Sequence, residues 1–185
     1  VFTTVHISSY VPVPILEIGS FLQDNDIDRV RKLFARESKD FLQKYFKKEL
    51  FFTDVEGKTK DEVLKNLCRK VEQEKGLPET FTASVLKREE LTPTDYGNLL
   101  ALPHPERAFQ ERAFVAVAVL KEPIFWFRQK VQVVFLTAIG REEDENLQQF
   151  YEETTDLILR PADVQNLIRH PDYDRLIQLL RRAEE

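Results

Sequence analysis

Cysteine is almost absent from this chain of 185 residues, because Cys68 is its single example. One cysteine excludes an internal disulfide and a cysteine-rich zinc site, and it fits a protein of a reducing cytoplasm. The three histidines, His6, His104 and His170, lie far apart in the sequence, with no paired ligand spacing. Since a zinc site needs at least three suitable ligands, we predict that no metal ion is bound.

Long apolar runs and glycine-rich motifs are missing as well. No stretch approaches the roughly 20 apolar residues that cross a bilayer, and no secretion signal opens the chain. The sequence contains no Gly-x-Ser-x-Gly, no Walker-type loop and no Gly-x-Gly-x-x-Gly. We therefore expect a cytoplasmic protein without a membrane span, and we find no support for a hydrolase, a nucleotide site or a cofactor.

The composition that remains is typical of a globular domain. Hydrophobic residues make up 42% of the chain and charged residues 32%, enough for a substantial core in one domain with a small appendage. The net charge is −5, with lysine and arginine dispersed, which argues against direct nucleic-acid contact. Because the first residue is Val1, we expect a fragment of a longer protein.

Apolar periodicity predicts alternating helices and strands. The predicted elements are extended segments at 1–5 and 11–18, one long helix or two within 27–46, helices at 59–76 and 78–90, buried strands at 114–120 and 131–139, a helix that begins in the acidic run 142–145, and two helical pieces that begin near Pro161 and Pro171. Beyond residue 59 the order is two helices, three strands (the apolar run that ends at His104 and the two buried strands) and further helices, which favours a mixed sheet covered by helices.

His104 is the residue with the most unusual setting. It ends an apolar run and stands between Pro103 and Pro105, each of which fixes its own φ and restricts the residue before it. An imidazole titrates near neutral pH and can act as a nucleophile, a base or a ligand. From the residues alone, a functional role and a structural role for His104 are about equally favoured.

Arg88 is the second candidate, near the end of the predicted helix 78–90. An arginine there is usually a solvated surface charge, but its guanidinium could equally bind phosphate oxygens near His104. Spacing in the sequence does not decide between these readings.

Residues 85–105 resemble the enzyme IIA domain of the mannitol/fructose class, part of the bacterial phosphoenolpyruvate:sugar phosphotransferase system. The shared pattern is a helix that ends in Arg-Glu, a turn that contains Thr and Gly, an apolar strand and then Pro-His. The strand pair around Trp126 and the strand-to-helix join at 135–147 are similar too. The resemblance extends from about Leu50 to the C-terminus and implies an α/β fold, a mixed β-sheet flanked by helices.

The resemblance also implies roles for particular residues. In that family the phosphocarrier protein HPr phosphorylates the matching histidine, which then passes the phosphoryl group to a cysteine of an enzyme IIB domain. By this resemblance His104 is the phosphoryl acceptor and Arg88 stabilises the phosphate. Gly97 and Asn98 form the turn next to the site.

Two departures from the pattern favour signalling over transport. Asn146 stands where sugar-transporting members often carry a second histidine, and Pro105 replaces the usual glycine after Pro-His. An asparagine can bind a phosphate through a hydrogen bond but cannot relay a proton. Both differences resemble the IIA-like domains at the C-terminus of BglG-type transcription regulators and antiterminators, which contain phosphotransferase regulation domains.

The N-terminal part resembles the end of an enzyme IIB-like domain. We predict that residues 1–37 are the remnant of such a domain with a linker helix, and that residues 38–185 are the IIA-like domain. The expected partners are HPr, an enzyme IIB or IIB-like domain, and other domains of the same regulator. Two alternatives remain: a transport enzyme IIA that passes phosphate to a sugar-specific IIB, and an interaction module in which His104 is never phosphorylated.

Overall fold

The computed structural model describes residues 2–3, 16–17, 42–141 and 154–181. The chain divides into two compact units, Val1–Phe41 and Leu42–Glu185. The described residues of the first unit form two short parallel strands, β1 (Phe2–Thr3) and β2 (Leu16–Glu17). The predicted domain boundary after residue 37 and most of the predicted helix within 27–46 lie outside the described residues, and both stay predictions.

The described part of the second unit contains a mixed sheet of five strands. Its elements, in chain order, are β3 (Phe46–Phe52), α1 (Lys60–Lys75), α2 (Thr80–Leu91), β4 (Asp95–Gly97), β5 (Leu100–Ala101), β6 (Phe114–Phe125), β7 (Lys130–Ala138), α3 (Pro161–Arg169) and α4 (Tyr173–Arg181). The strand order is β3-β6-β7-β5-β4. Strand β6 pairs parallel to β3, β5 pairs parallel to β7, and the other two pairs are antiparallel. Residues 42–45 and 154–158 are also helical.

Helix α1 shows how the local sequence sets the ends of an element. The hydroxyl of Thr59 accepts a hydrogen bond from the backbone N–H of Glu62, which satisfies one free donor of the first turn. Gly76 ends the helix with φ at 63°, a left-handed conformation that glycine adopts without a steric penalty. These contacts confirm the predicted helix 59–76.

The centre of the sheet consists of the two apolar strands that the sequence predicts. The even-numbered residues of β6 from Phe114 to Leu120 pack in one cluster with apolar residues of α1 and α2. The odd-numbered residues between them are buried as well, so both faces of β6 are covered. A continuous apolar run is what a strand buried on both faces requires, and the predicted strands 114–120 and 131–139 are confirmed.

Strand β3 corrects the sequence prediction, which extends a helix to Phe46. The helical turn ends at residue 45, and Phe46 begins a strand that pairs with Val115, Val117 and Ala118 of β6. Its residues 47–49 are exposed, so the segment lacks the alternation that marks a half-buried strand. Pairing with a central strand decides its conformation, and that long-range contact leaves no local signal.

Smaller corrections concern the segments around α2. The sequence places Pro78 in the first turn of the second helix, but α2 begins at Thr80, after a turn in which Phe81 N–H donates to the Pro78 carbonyl at 2.9 Å. The turn-rich segment after α2 includes the short strand β4, because Asp95 and Gly97 pair with β5.

The C-terminal helices α3 and α4 contact the sheet. Pro161 is the first residue of α3 and Pro171 separates α3 from α4, as the sequence predicts. The Tyr173 hydroxyl of α4 donates to the Phe46 carbonyl of β3 at 2.9 Å. The predicted helix from 142–145 lies outside the described residues. Within the described ranges, no helix has the length and apolar character needed to cross a membrane.

Candidate functional site

His104 follows β5 at the edge where that strand ends. The N–H of Thr137 in β7 donates to the Pro103 carbonyl at 3.0 Å, which holds the backbone next to His104 against the sheet. Pro103 and Pro105 are both buried, whereas the His104 side chain is half-buried. The imidazole is therefore carried by a fixed backbone and remains open to solvent on one side.

One hydrogen bond selects the tautomer of this imidazole. The Nδ1 atom of His104 lies 3.1 Å from the carbonyl oxygen of Pro105. Because a carbonyl oxygen only accepts hydrogen bonds, Nδ1 carries the proton in this arrangement. In the neutral ring the lone pair is then on Nε2, so Nε2 is the ring atom that could act as a nucleophile.

Arg88 and His104 line the same depression, which has a volume of about 490 Å³. Arg88 lies in the last turn of α2, where its Nη1 donates to the Thr92 carbonyl at 3.2 Å. The structure thus brings together the two residues that the sequence singles out. Further lining residues are Glu106, Arg107, Thr137 and Ile139.

The loop after His104 is tied to α2, which accounts for this proximity. The backbone N–H of Glu106 donates to the hydroxyl of the buried Ser84 at 2.9 Å. The Glu106 carboxylate also pairs with the Lys87 ammonium at 3.0 Å. These two contacts fix the His104 loop beside the end of α2, where Arg88 lies.

Sequence reasoning missed the role of Glu89, which is only 1% exposed. Its carboxylate accepts hydrogen bonds from the indole N–H of Trp126 at 2.7 Å and from the backbone N–H and hydroxyl of Thr94 at 2.8 and 2.9 Å. This network holds the loop after α2 and so positions the helix end that carries Arg88. The Arg-Glu pair in the motif is the signal that could have identified Glu89.

A second depression, of about 460 Å³ and mostly apolar, also contains His104 and shares Thr137 and Ile139 with the first. Its apolar lining includes three strongly exposed side chains, Tyr96, Ile139 and Leu159. His104 therefore lines both a depression that contains guanidinium groups and an apolar one. Such a surface suits a protein partner that must reach the ring.

The turn before β5 contains three consecutive residues with positive φ. Gly97, Asn98 and Leu99 have φ values of 95°, 51° and 64°. The Asn98 side-chain amide donates to the Ile158 carbonyl at 2.9 Å, so it joins this turn to a residue that lines the apolar depression. Neither Gly97 nor Asn98 is among the described residues that line the two depressions around His104.

The other candidate residues lie away from this site or outside the described ranges. Asn146 and His6 are outside the described residues. His170 is an exposed residue that ends α3, as expected for a surface turn. Cys68 is fully buried in the core, and burial raises the pKa of its thiol to about 12, which makes it a poor nucleophile at neutral pH.

Known proteins place the chain in a family. The family model "Phosphoenolpyruvate-dependent sugar phosphotransferase system, EIIA 2" matches residues 44–183. A Bacillus subtilis (strain 168) protein described as a probable licABCH operon regulator is 34% identical over 176 residues, which are 95% of this chain and 27% of that protein. The transcriptional regulator ManR of the same strain is 28% identical over 120 residues, covering 65% of this chain and 18% of ManR. The chain thus spans about a quarter or less of the length of these curated relatives.

Solved structures share the fold. The Escherichia coli enzyme IIAMTL in complex with phosphorylated enzyme IIBMTL aligns with a TM-score of 0.60 at 18% identity, over 73% of this chain and 97% of that one. The nitrogen regulatory protein IIA-Ntr from Neisseria meningitidis aligns with a TM-score of 0.63 at 18% identity, over 75% and 98%. These similarities confirm the predicted mixed sheet flanked by helices. Because the family model covers most of the chain, the protein belongs to the EIIA 2 family of the phosphoenolpyruvate-dependent sugar phosphotransferase system.

Proposed function

We propose that this chain is the phosphoryl-accepting, regulatory IIA-like domain of a bacterial sugar-responsive transcription regulator, and that HPr phosphorylates it on His104. The observation that carries the proposal is the pairing of an oriented imidazole, whose Nε2 holds the lone pair, with the Arg88 guanidinium in one depression. The two curated relatives are described as regulators, which supports a role in gene regulation.

The proposed chemistry needs only the groups of this depression and a phosphohistidine donor. Nε2 of His104 attacks the phosphorus, the new N–P bond forms as the donor's N–P bond breaks, and the electron pair of that bond returns to the donor imidazole. The Nδ1 proton stays on His104, where the Pro105 carbonyl stabilises the positive charge that the ring gains. Arg88 stabilises the negative charge spread over the equatorial phosphate oxygens.

The apolar depression supports a protein donor rather than a small phosphate compound. A partner that covers Tyr96, Ile139 and Leu159 would exclude water from one side of His104. Exclusion of water strengthens the electrostatic contacts to the phosphoryl group and protects it from hydrolysis. HPr in the cytoplasm is the proposed donor.

Phosphate transfer tests the proposal directly. The full chain is incubated with HPr, the enzyme that phosphorylates HPr, and phosphoenolpyruvate labelled in its phosphoryl group. We expect label on the wild type and on His170→Ala, whose imidazole is an exposed control, and none on His104→Ala. Equal labelling of the wild type and His104→Ala would show that the site assignment is wrong.

A second candidate is onward transfer to an enzyme IIB, as in a transport system. The fold similarity to enzyme IIAMTL, solved in complex with phosphorylated enzyme IIBMTL, favours it. Asn146, in place of a second histidine, disfavours it because an amide cannot relay a proton. Labelled chain mixed with a sugar-specific, permease-linked IIB and the sugar would lose its label to the IIB and then to the sugar, and would yield labelled sugar phosphate if this role were correct.

A further inference from the structure

The depression of His104 contains a second arginine that neither the sequence motif nor the proposed mechanism uses. Arg107 is exposed and lines this depression together with Arg88 and His104. Its guanidinium carbon lies 5.1 Å from the centroid of the Phe109 ring. Phe109 in turn packs edge-on against the buried Phe81, with ring centroids 5.3 Å apart. This stack ties a flexible side chain to the core and lowers the entropy lost when its guanidinium binds.

The charges around the depression leave Arg107 available for an anion. The nearby carboxylate of Glu106 pairs with Lys87 at 3.0 Å. Among the residues that the structure describes, no carboxylate forms an ion pair with Arg107 or Arg88. The depression therefore combines two guanidinium groups and an imidazole with a carboxylate that is already paired. Its net charge is positive, which suits a phosphoryl dianion.

We infer that Arg107 is a second phosphate-contacting residue, whose guanidinium binds the oxygens of the phosphoryl group on His104. The inference rests on the proposed phosphorylation of His104. Arg88 approaches from the end of α2, and Arg107 from the loop that follows His104.

The test compares Arg107→Gln with Arg128→Gln in the full chain. Arg128 is a matched control, because it is also exposed and stacks on a phenylalanine, Phe127, at 5.6 Å, but it lies in the turn between β6 and β7. Loss of one charge-assisted hydrogen bond should slow labelling by HPr by about ten- to a hundredfold in Arg107→Gln. Arg128→Gln should label at the wild-type rate, and both variants should keep the wild-type thermal unfolding.

Phosphorus NMR supplies a readout that a merely structural role would not change. Removal of a contacting guanidinium should raise the second pKa of the phosphoryl group in Arg107→Gln. In Arg107→Lys, which keeps the positive charge, this pKa should lie between those of the wild type and Arg107→Gln. A labelling rate and a phosphate titration that both match the wild type would overturn the role of Arg107 while His104 phosphorylation stands. Absence of label on the wild-type chain would overturn His104 phosphorylation and the role of Arg107 together.

Discussion

At the scale of single residues, His104 and Arg88 differ in how firmly they are held. Buried prolines on both sides fix the backbone of His104, and the Pro105 carbonyl fixes its tautomer. The Arg88 guanidinium donates only one described hydrogen bond, to the Thr92 carbonyl. A guanidinium has five N–H donors, so Arg88 retains donors for the proposed contact with phosphate oxygens while one bond restrains its position.

Substitution of Arg88 tests its role at this scale. In Arg88→Gln we expect phosphorylation by HPr to slow by about a hundredfold, because the charge that stabilises the transferring group is lost. Arg69→Gln, an exposed arginine of α1, serves as the control and should label at the wild-type rate. Labelling rates measured from labelled phosphoenolpyruvate check the expectation, and equal rates for both variants would contradict it.

Gly140 shows a steric requirement close to the site. A Cβ atom there would collide with the Glu111 carbonyl oxygen and would lie 2.6 Å from the backbone N of Ala113. Both are backbone atoms, so the collision is not relieved by a side-chain rotation. Gly140→Ala should lower the free energy of unfolding by about 1–3 kcal/mol in urea titrations.

A comparison with Gly76→Ala separates sterics from backbone strain. Gly76 has open space around it but a φ of 63°, so alanine there should cost about 1 kcal/mol from strain alone. An unchanged free energy of unfolding in Gly140→Ala would show that the loop at 110–113 does not pack against this glycine.

At the scale of elements, the sequence predicts those whose signals are local. Thr59 and Gly76 mark both ends of α1, and the apolar runs of β6 and β7 mark central strands. Strand β3 is not predicted, because it is stabilised by pairing with β6, whose residues lie far away in the sequence. The site residues also divide into those with a local signal and those without one. His104 and Arg88 belong to one local sequence motif. Arg107 and Glu89 gain their contacts only when α2, the His104 loop and the β6–β7 turn come together.

Glu89 provides a test of how these elements are joined. Glu89→Ala leaves the indole N–H of Trp126 and two donors of Thr94 without their acceptor, and should lower the free energy of unfolding by at least about 2 kcal/mol. Trp126 is the only tryptophan, so its fluorescence should report the change. Glu90→Ala, the exposed neighbour, should alter neither quantity. Wild-type stability and emission in Glu89→Ala would show that this network does not hold the end of α2.

At the scale of the whole molecule, the core contains one thiol whose contribution to the free energy of unfolding depends on pH. Burial raises the pKa of Cys68 to about 12, from 9.0 for an ordinary thiol, and the nearby carboxylate of Glu72 adds to the shift. Below pH 9 the thiol is protonated in the folded and unfolded chains alike. Between pH 9 and about 12 the unfolded chain loses this proton first, so stability falls as pH rises.

This linkage predicts a difference between the wild type and Cys68→Ala. In urea titrations the free energy of unfolding of the wild type should decline more steeply from pH 9 upward than that of the variant. Desolvation also raises the pKa of Tyr173, which contributes in the same direction but is common to both proteins. Parallel pH profiles would contradict the assigned burial of the thiol.

We propose above all that Nε2 of His104 accepts one phosphoryl group. Phosphorus NMR of the full chain, with its histidines labelled with ¹⁵N and phosphorylated through HPr, measures this directly. We predict one phosphohistidine signal per chain, coupled to Nε2 of His104, with Nδ1 still protonated. A phosphoryl group on Nδ1, on another residue, or on no residue of the chain would contradict it.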